Sequence, residues 1–308
     1  MRGANGDALR CASTDGPLCE VVMADVYPVV VGTDGSAHAA VAEAAAAADA
    51  QRRGLPLRLV YSFAPLYGFA GLDPTPPENV LEACQEIIDR EIEGLREHYP
   101  DLEISGEVLV QDPAVALVKE TESADILYVG ARGLGAIRRF LLGSVSNKVA
   151  AYGKCPVVVV RHAPVNTHGP VVVGMDPDDG SPAAVDFAYR QARARGVALR
   201  VIQARQHAAA NVNRVPEGAL REAIRSGVAG LESSGKEAFD NFDADYPDVH
   251  ATLDVVSGHA VDALLAASED ASLLVVGNHG RNALAMLGSV SSGVLHGGAA
   301  VVAVVPAE

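Results

Sequence analysis

The residues best suited to chemistry in this chain form a phosphate cradle, not a set of acids, bases and nucleophiles. Gly130-Ala131-Arg132-Gly133-Leu134-Gly135 is followed by Gly143-Ser144-Val145-Ser146. Glycines let backbone N–H groups approach an anion with no Cβ in the way. A helix start adds unpaired N–H donors and a dipole that favours negative charge. Ser144 and Ser146 can supply hydroxyls. Asp34, which follows Val29-Val30-Val31-Gly32-Thr33, is an acceptor. It suits ribose hydroxyls or a cation better than it suits phosphate. Each feature alone has a plainer reading: a glycine after a strand is a turn, and Ser144 or Asp34 is a helix cap. Joint spacing is more specific, because two residues separate Gly130 from Gly133 and nine separate Gly133 from Gly143.

Other chemistries find less support. There is no G-x-x-x-x-G-K-[S/T] run, which disfavours a P-loop motor or kinase. The first strand leads into Gly32-Thr33-Asp34-Gly35-Ser36-Ala37. That is not the G-x-G-x-x-G of a nicotinamide dehydrogenase. Ser36, Ser144, His38 and His162 make no nucleophile elbow. Arg138-Arg139 reads as an anion clamp or, more commonly, as two solvated arginines.

A cradle of this kind works at the carboxyl ends of strands in an open α/β sheet, where strand order reverses. The hydrophobic pattern supplies such a sheet. Val29–Val31 is a short apolar run of the kind buried on both faces. Ser36 can cap the Ala-rich helix Ala39–Gln51, and Gly54 can stop it. Leu57–Phe63 reads as a strand and Pro65–Pro77 as a loop. Glu78–His98 carries one apolar helical face. Leu102–Val110 is a strand, Asp112–Ser123 a helix and Ile126–Val129 a strand. A helix from about Ser146 and strand Val157–Val160 complete the series.

The series then recurs. Val29-Val30-Val31-Gly32-Thr33-Asp34 returns 142 residues later as Val171-Val172-Val173-Gly174-Met175-Asp176. Leu57-Arg58 returns as Leu199-Arg200, and Gly143-Ser144-Val145-Ser146 as Gly288-Ser289-Val290-Ser291. Ordered matches at drifting offsets mark a duplicated domain. The second copy is expected to run through Val171–Val173, Pro182–Arg195, Ala198–Gln203, Glu217–Phe242, His250–Val256, Ala260–Ser268, Leu273–Val276, a helix near Ser291, and Ala300–Val305. The fold class is therefore α/β: two tandem repeats of an open, mostly parallel sheet with helices on both faces. Residues 28–161 and 170–306 are the expected domains, joined by the short linker His162–Gly169. Residues 1–27 read as a disordered extension, with Met23 as an alternative start.

Lys+Arg 24 against Asp+Glu 39 gives a net charge of −15. That balance argues against a nucleic-acid partner, whose phosphates need Lys and Arg, and against an anionic membrane surface. No apolar run is long enough to span a bilayer, and Asp7, Asp15 and Glu20 interrupt any signal peptide. Cys11, Cys19, Cys84 and Cys155 show no CxxC spacing and read as unpaired thiols of a reducing cytoplasm.

Gly130-x2-Gly133-x9-Gly143-Ser144 fits the G-2x-G-9x-G-[S/T] pattern of the nucleotide-binding universal stress proteins. The two Val-Val-Val-Gly-x-Asp openings and the ending Cys155-Pro156-Val157 extend the likeness. The chain resembles a tandem universal stress protein over about residues 28–306. The resemblance implies a five-stranded, Rossmann-like fold of the adenine-nucleotide alpha-hydrolase-like class in each half. It also implies ATP across the strand ends, with Mg²⁺ expected beside a triphosphate. Asp34 would lie near ribose and adenine, and the glycine loop and Gly-Ser around the phosphates. On matching positions it implicates Gly32, Asp34, Gly130, Arg132, Gly133, Gly135, Gly143, Ser144, Val145 and Ser146. A second-strand residue near Ser62 would line the adenine slot through backbone atoms.

The second half has Gly174, Asp176, Gly277, Gly280, Gly288 and Ser289 at equivalent places. Only seven residues separate Gly280 from Gly288, so its loop is two residues short. Pro177 and Asp178 replace Gly35 and Ser36, which moves the expected helix cap to Ser181. Pro lacks an N–H, and Asp178 and Asp179 add negative charge. ATP is expected in the first half, and weakly or not at all in the second. His279 reads as an exposed loop histidine sooner than as a phosphate ligand.

The function these features favour is nucleotide-dependent regulation in a stress response, through a protein partner they do not identify. A slow ATPase or phosphotransferase and a nucleotide-free interaction scaffold are the alternatives. The Val-rich endings Val157–Val160 and Val301–Val305 are expected to pair the halves within one chain. A homodimer of chains is a further option.

Overall fold

The computed structural model describes residues 26–64, 78–133, 142–176, 181–205, 236–278 and 287–307. The first repeat contains β1 (Val29–Thr33), α1 (Ala37–Arg53), β2 (Leu57–Phe63), α2 (Glu78–His98) and β3 (Ile104–Val110). It continues with α3 (Pro113–Glu120), β4 (Ile126–Gly130), α4 (Ser144–Tyr152) and β5 (Val157–Val160). The second contains β6 (Val171–Gly174), α5 (Pro182–Arg195), β7 (Leu199–Arg205) and a helix, α6, described over residues 236–245. Then come β8 (Ala251–Ser257), α7 (Ala260–Ala267), β9 (Leu273–Asn278), α8 (Ser289–Gly297) and β10 (Val301–Pro306).

Local signals fix the element ends. The Ser36 hydroxyl accepts from the Ala39 N–H at 3.2 Å and starts α1. Gly54, at φ 63°, ends it in the left-handed conformation that costs glycine little. The Asp112 carboxylate caps α3, with Pro113 in its first turn. The helix expected from about Ser146 instead begins at Ser144, directly after Gly143. Ser181 stands at the expected cap position of α5 without a side-chain capping bond. Its hydroxyl accepts from the Asp176 N–H at 3.2 Å instead.

The strands form one ten-stranded sheet in the order β3-β2-β1-β4-β5-β10-β9-β6-β7-β8. Every pairing within a repeat is parallel. The last strands of the two repeats pair antiparallel, with Val302 opposite Val159 and Ala303 opposite Val158. The Val-rich endings therefore join the halves within the chain. Besides the ladder, the Arg161 N–H donates across this seam to the Ala300 carbonyl at 2.8 Å, and side chains reach over it: Arg161 donates to the Leu295 carbonyl at 2.8 Å and Asn278 to the Ala151 carbonyl at 3.1 Å.

Alternate residues of each strand serve opposite cores. Val29 and Val31 join Ala42, Ala46, Ile88, Ile92 and Val185 under α1, α2 and α5. Val30 and Val129 join Leu117, Val149, Leu264 and Val294 under α3, α4, α7 and α8. Covering both faces explains why these strands are continuous apolar runs. Cys84 and Cys155 are unpaired and buried, and burial pushes the Cys155 thiol up to about 12, so it is inert near neutrality. Among the described residues no helix is long and apolar enough to cross a membrane.

Candidate functional site

In the first repeat β1 lies between β2 and β4, so strand order reverses at the carboxyl ends of β1 and β4, the place where open α/β sheets take ligands. One wall is the turn after β1. Thr33 Oγ1 accepts from the Gly35 N–H, and Asp34 Oδ1 from the Ser36 N–H, both at 3.1 Å. Gly35 has φ +72°, a conformation that excludes most side chains, and Ile87 packs 3.2 Å from where its Cβ would be. Because Ser36 caps α1, Asp34 is not needed as the helix cap.

The other wall follows β4. A Cβ on Gly133 would collide with the Asp34 carboxylate, so the two loops meet at these residues. The remaining glycines differ in purpose. The space a Gly32 Cβ would need is filled by Leu117 of α3, and Gly174 faces Leu264 of α7 in the same way. Gly32 and Gly174 thus let a helix side chain pack against the strand end. Gly130 lets the His38 carbonyl of α1 approach, since a Cβ there would lie 2.8 Å from that oxygen.

The phosphate end is built at the start of α4. Ala131 donates its N–H to the Val160 carbonyl at 2.7 Å, which anchors the loop to β5. Gly143 N–H donates to the Ala131 carbonyl at 2.8 Å. That amide is engaged within the loop. The Ser146 hydroxyl donates to the Gly130 carbonyl at 2.6 Å, so its proton is also committed. Ser144 is exposed, and α4 has no side-chain cap. Its first internal bond runs from the Asn147 N–H to the Gly143 carbonyl at 3.0 Å. Among the described residues no group accepts from the N–H groups of Ser144, Val145 or Ser146. These three amides, at the positive end of a helix dipole, are the donors available to an anion.

The second repeat repeats the latch. Ser291 donates to the Gly277 carbonyl at 2.7 Å, and Gly288 precedes an uncapped α8 that begins at Ser289. Asp176 follows β6, as Asp34 follows β1, with its N–H on Ser181. Ser62 lies near the end of β2, where its hydroxyl donates to the Gln111 carbonyl at 2.8 Å. Arg132 sits close enough to Arg161 that the two positive charges, with burial of Arg161 the larger cause, hold the Arg161 guanidinium below its ordinary value. Gly135, Gly280, Arg138, Arg139, His279, Pro177, Asp178 and Asp179 lie outside the described residues.

Sequence reasoning missed one feature of this wall. Glu43 points from the core stripe of α1 and is 2% exposed. Burial, resisted by a Thr33 hydrogen bond and reinforced by the charges of Glu91 and Asp34, raises its carboxyl to about 7. The signal was readable at the 142-residue offset, which aligns Glu43 with Val185 and Thr33 with Met175.

Comparison with known proteins follows this architecture. The universal stress protein family model matches twice, at residues 27–161 and 168–306. A universal stress protein of Mycobacterium bovis is 32% identical over 284 residues, covering 88% of this chain and 94% of its own. One of Mycolicibacterium smegmatis is 32% identical over 288 residues, covering 89% and 95%. The crystal structure of a universal stress protein from Archaeoglobus fulgidus shares the fold, with a TM-score of 0.60 at 20% identity over 92% of this chain and 97% of that one. The chain belongs to the universal stress protein family and carries the family's α/β domain twice in tandem.

Proposed function

We propose that the first repeat binds an adenine nucleotide, ATP with its magnesium, and that the protein acts as a nucleotide-dependent regulator in a stress response. The observation that carries this reading is the set of three amides at Ser144, Val145 and Ser146 beside a glycine turn packed on Asp34. The phosphates would sit at the start of α4, near Arg132, where backbone donors meet them without any side chain moving. The Asp34 carboxylate would accept from ribose hydroxyls. The end of β2 at Ser62 would border the base. Magnesium would be held mainly by the phosphate oxygens and water.

The second repeat keeps Asp176 and the uncapped start of α8 but has a loop two residues shorter, which supports weaker binding there. The test is to quench purified protein with acid, identify the released nucleotide by mass spectrometry and count moles per chain. One adenine nucleotide per chain is expected. Two would place a second competent site in the second repeat. None, together with no thermal shift on adding ATP, would establish the scaffold alternative. Release of phosphate in excess of protein would establish turnover.

A further inference from the structure

The buried carboxyl behind the Asp34 turn has a counterpart in the same molecule that shows what the fold alone requires. Glu43 of α1 aligns with Val185 of α5, and both are buried at 2% exposure or less. Thr33 aligns with Met175, which is also buried. On α2, Glu91 stands 147 residues before Ala238 of α6, the offset that also relates Tyr99 to Tyr246 and Asp101 to Asp248. One repeat therefore packs this position with Met, Val and Ala, and the other with Thr, Glu and Glu. An apolar solution exists, and a buried carboxyl is the costlier one. The polar set occurs only in the repeat whose phosphate loop has the full spacing.

The contacts explain what it can do. Thr33 Oγ1 holds the Gly35 N–H and hydrogen-bonds toward Glu43. Glu43 Oε1 has no hydrogen-bond partner among the described residues. The groups facing it are Asp34 from the turn and Glu91 from α2, whose carboxylate shares a hydrogen bond with Glu43 and pairs with Arg90 at 3.1 Å. Tyr61 of β2, beside Cys84, also feels Asp34. An ionised Glu43 would be a third negative charge in this corner, next to the Asp34 carboxylate. A bound polyphosphate would add more negative charge nearby and favour the protonated form further.

We infer that Glu43 is a proton-carrying positioning residue of the first-repeat site: in its neutral form it relieves the crowding of carboxylates behind the Thr33–Gly35 turn that presents Asp34, and nucleotide binding takes up a proton through it. This rests on the nucleotide reading above. It makes the protein's hold on nucleotide tighten as pH falls through neutrality, in the first repeat alone.

The experiment is calorimetric titration with Mg-ATP at several pH values between about 6 and 8, in buffers of different ionisation enthalpy. The wild type is expected to lose about tenfold in affinity across that range and to take up a fraction of a proton near neutrality. Glu43→Gln, which keeps shape and loses the titration, is expected to bind with little pH dependence and no uptake. A Glu43→Gln protein with the wild-type pH profile would overturn the inference. Carboxyl-carbon NMR of the nucleotide-free protein reads Glu43 separately. A midpoint in the ordinary carboxylate range would overturn the inference whatever the nucleotide does. If Glu43 titrates near neutrality and no ATP binds at any pH, the nucleotide reading fails and the coupling to it fails as well. Glu43→Val, copying the second repeat, serves as the second variant should Gln fold poorly.

Discussion

Removing the hydroxyl that latches α4 to β4 tests the site and carries its own internal control. Ser146 is 4% exposed and donates to the Gly130 carbonyl at 2.6 Å. Ser146→Ala deletes that donor and leaves a buried carbonyl short of its partner, which costs about 1–2 kcal/mol. In a chain of this size that lowers the melting temperature by about 2–4 °C. Ser291, 2% exposed, makes the equivalent bond to Gly277 at 2.7 Å. Ser291→Ala should therefore cost a similar amount. Their effects on ligand should differ. The Ser146 bond sets where the first turn of α4 stands relative to the glycine loop, so its loss should weaken ATP about fivefold, near 1 kcal/mol. Ser291→Ala should leave ATP affinity unchanged. Urea denaturation followed by circular dichroism measures the first effect and calorimetric titration the second. Loss of affinity in Ser291→Ala equal to that in Ser146→Ala would refute confinement of the site to the first repeat. No stability loss in either would refute the latch.

Three further outcomes are expected. Folded Glu43 keeps its proton from its ordinary 4.5 up to about 7, a range in which the unfolded chain has released it. Stability should therefore fall by up to about 3 kcal/mol as pH rises through that window and level off above it, and Glu43→Gln should flatten this slope in urea titrations. Gly133→Ala places a methyl against the Asp34 carboxylate, so ATP affinity should drop by about ten- to a hundredfold with the far-UV spectrum unchanged; wild-type affinity would show that the two loops do not meet in solution. Val302→Asp buries a charge opposite Val159 in the seam between repeats, and a loss of several kcal/mol, or no folded chain at all, should appear on denaturation; a neutral result would mean that the halves are not joined there.

Much of the fold was legible because each strand buries both faces. Val29–Val31 reads as a strand buried on both faces and Val157–Val160 as a strand, and the repeated opening at Val171 marks the duplication. Pairing of β5 with β10 was implied by the family resemblance and agreed with two apolar endings that would otherwise be exposed edges. The ends of elements were harder. The start of α4 was misplaced by two residues because Ser144 resembles a capping residue, whereas the backbone of Gly143 performs that role. At the site, residue types could not tell a ligand glycine from a packing glycine. Gly32 and Gly133 look alike in sequence, yet one admits Leu117 and the other Asp34. Nor could types reveal that the Gly143 amide and the Ser146 hydroxyl are consumed internally, since that depends on partners more than ten residues away. Glu43 was hidden by its surroundings: an acid in an alanine-rich helix looks solvated until the packing turns it inward.

The antiparallel join at β5 and β10 reverses the direction of every strand on passing from one repeat to the other. Carboxyl ends of the first repeat's strands, and with them the Asp34 turn, lie along one rim of the sheet. The corresponding ends of the second repeat lie along the opposite rim. The two sets of strand ends thus look away from each other, and no small ligand can bridge them. A protein that docks over one rim leaves the other uncovered, so a single chain has two separate faces to offer two different neighbours at once.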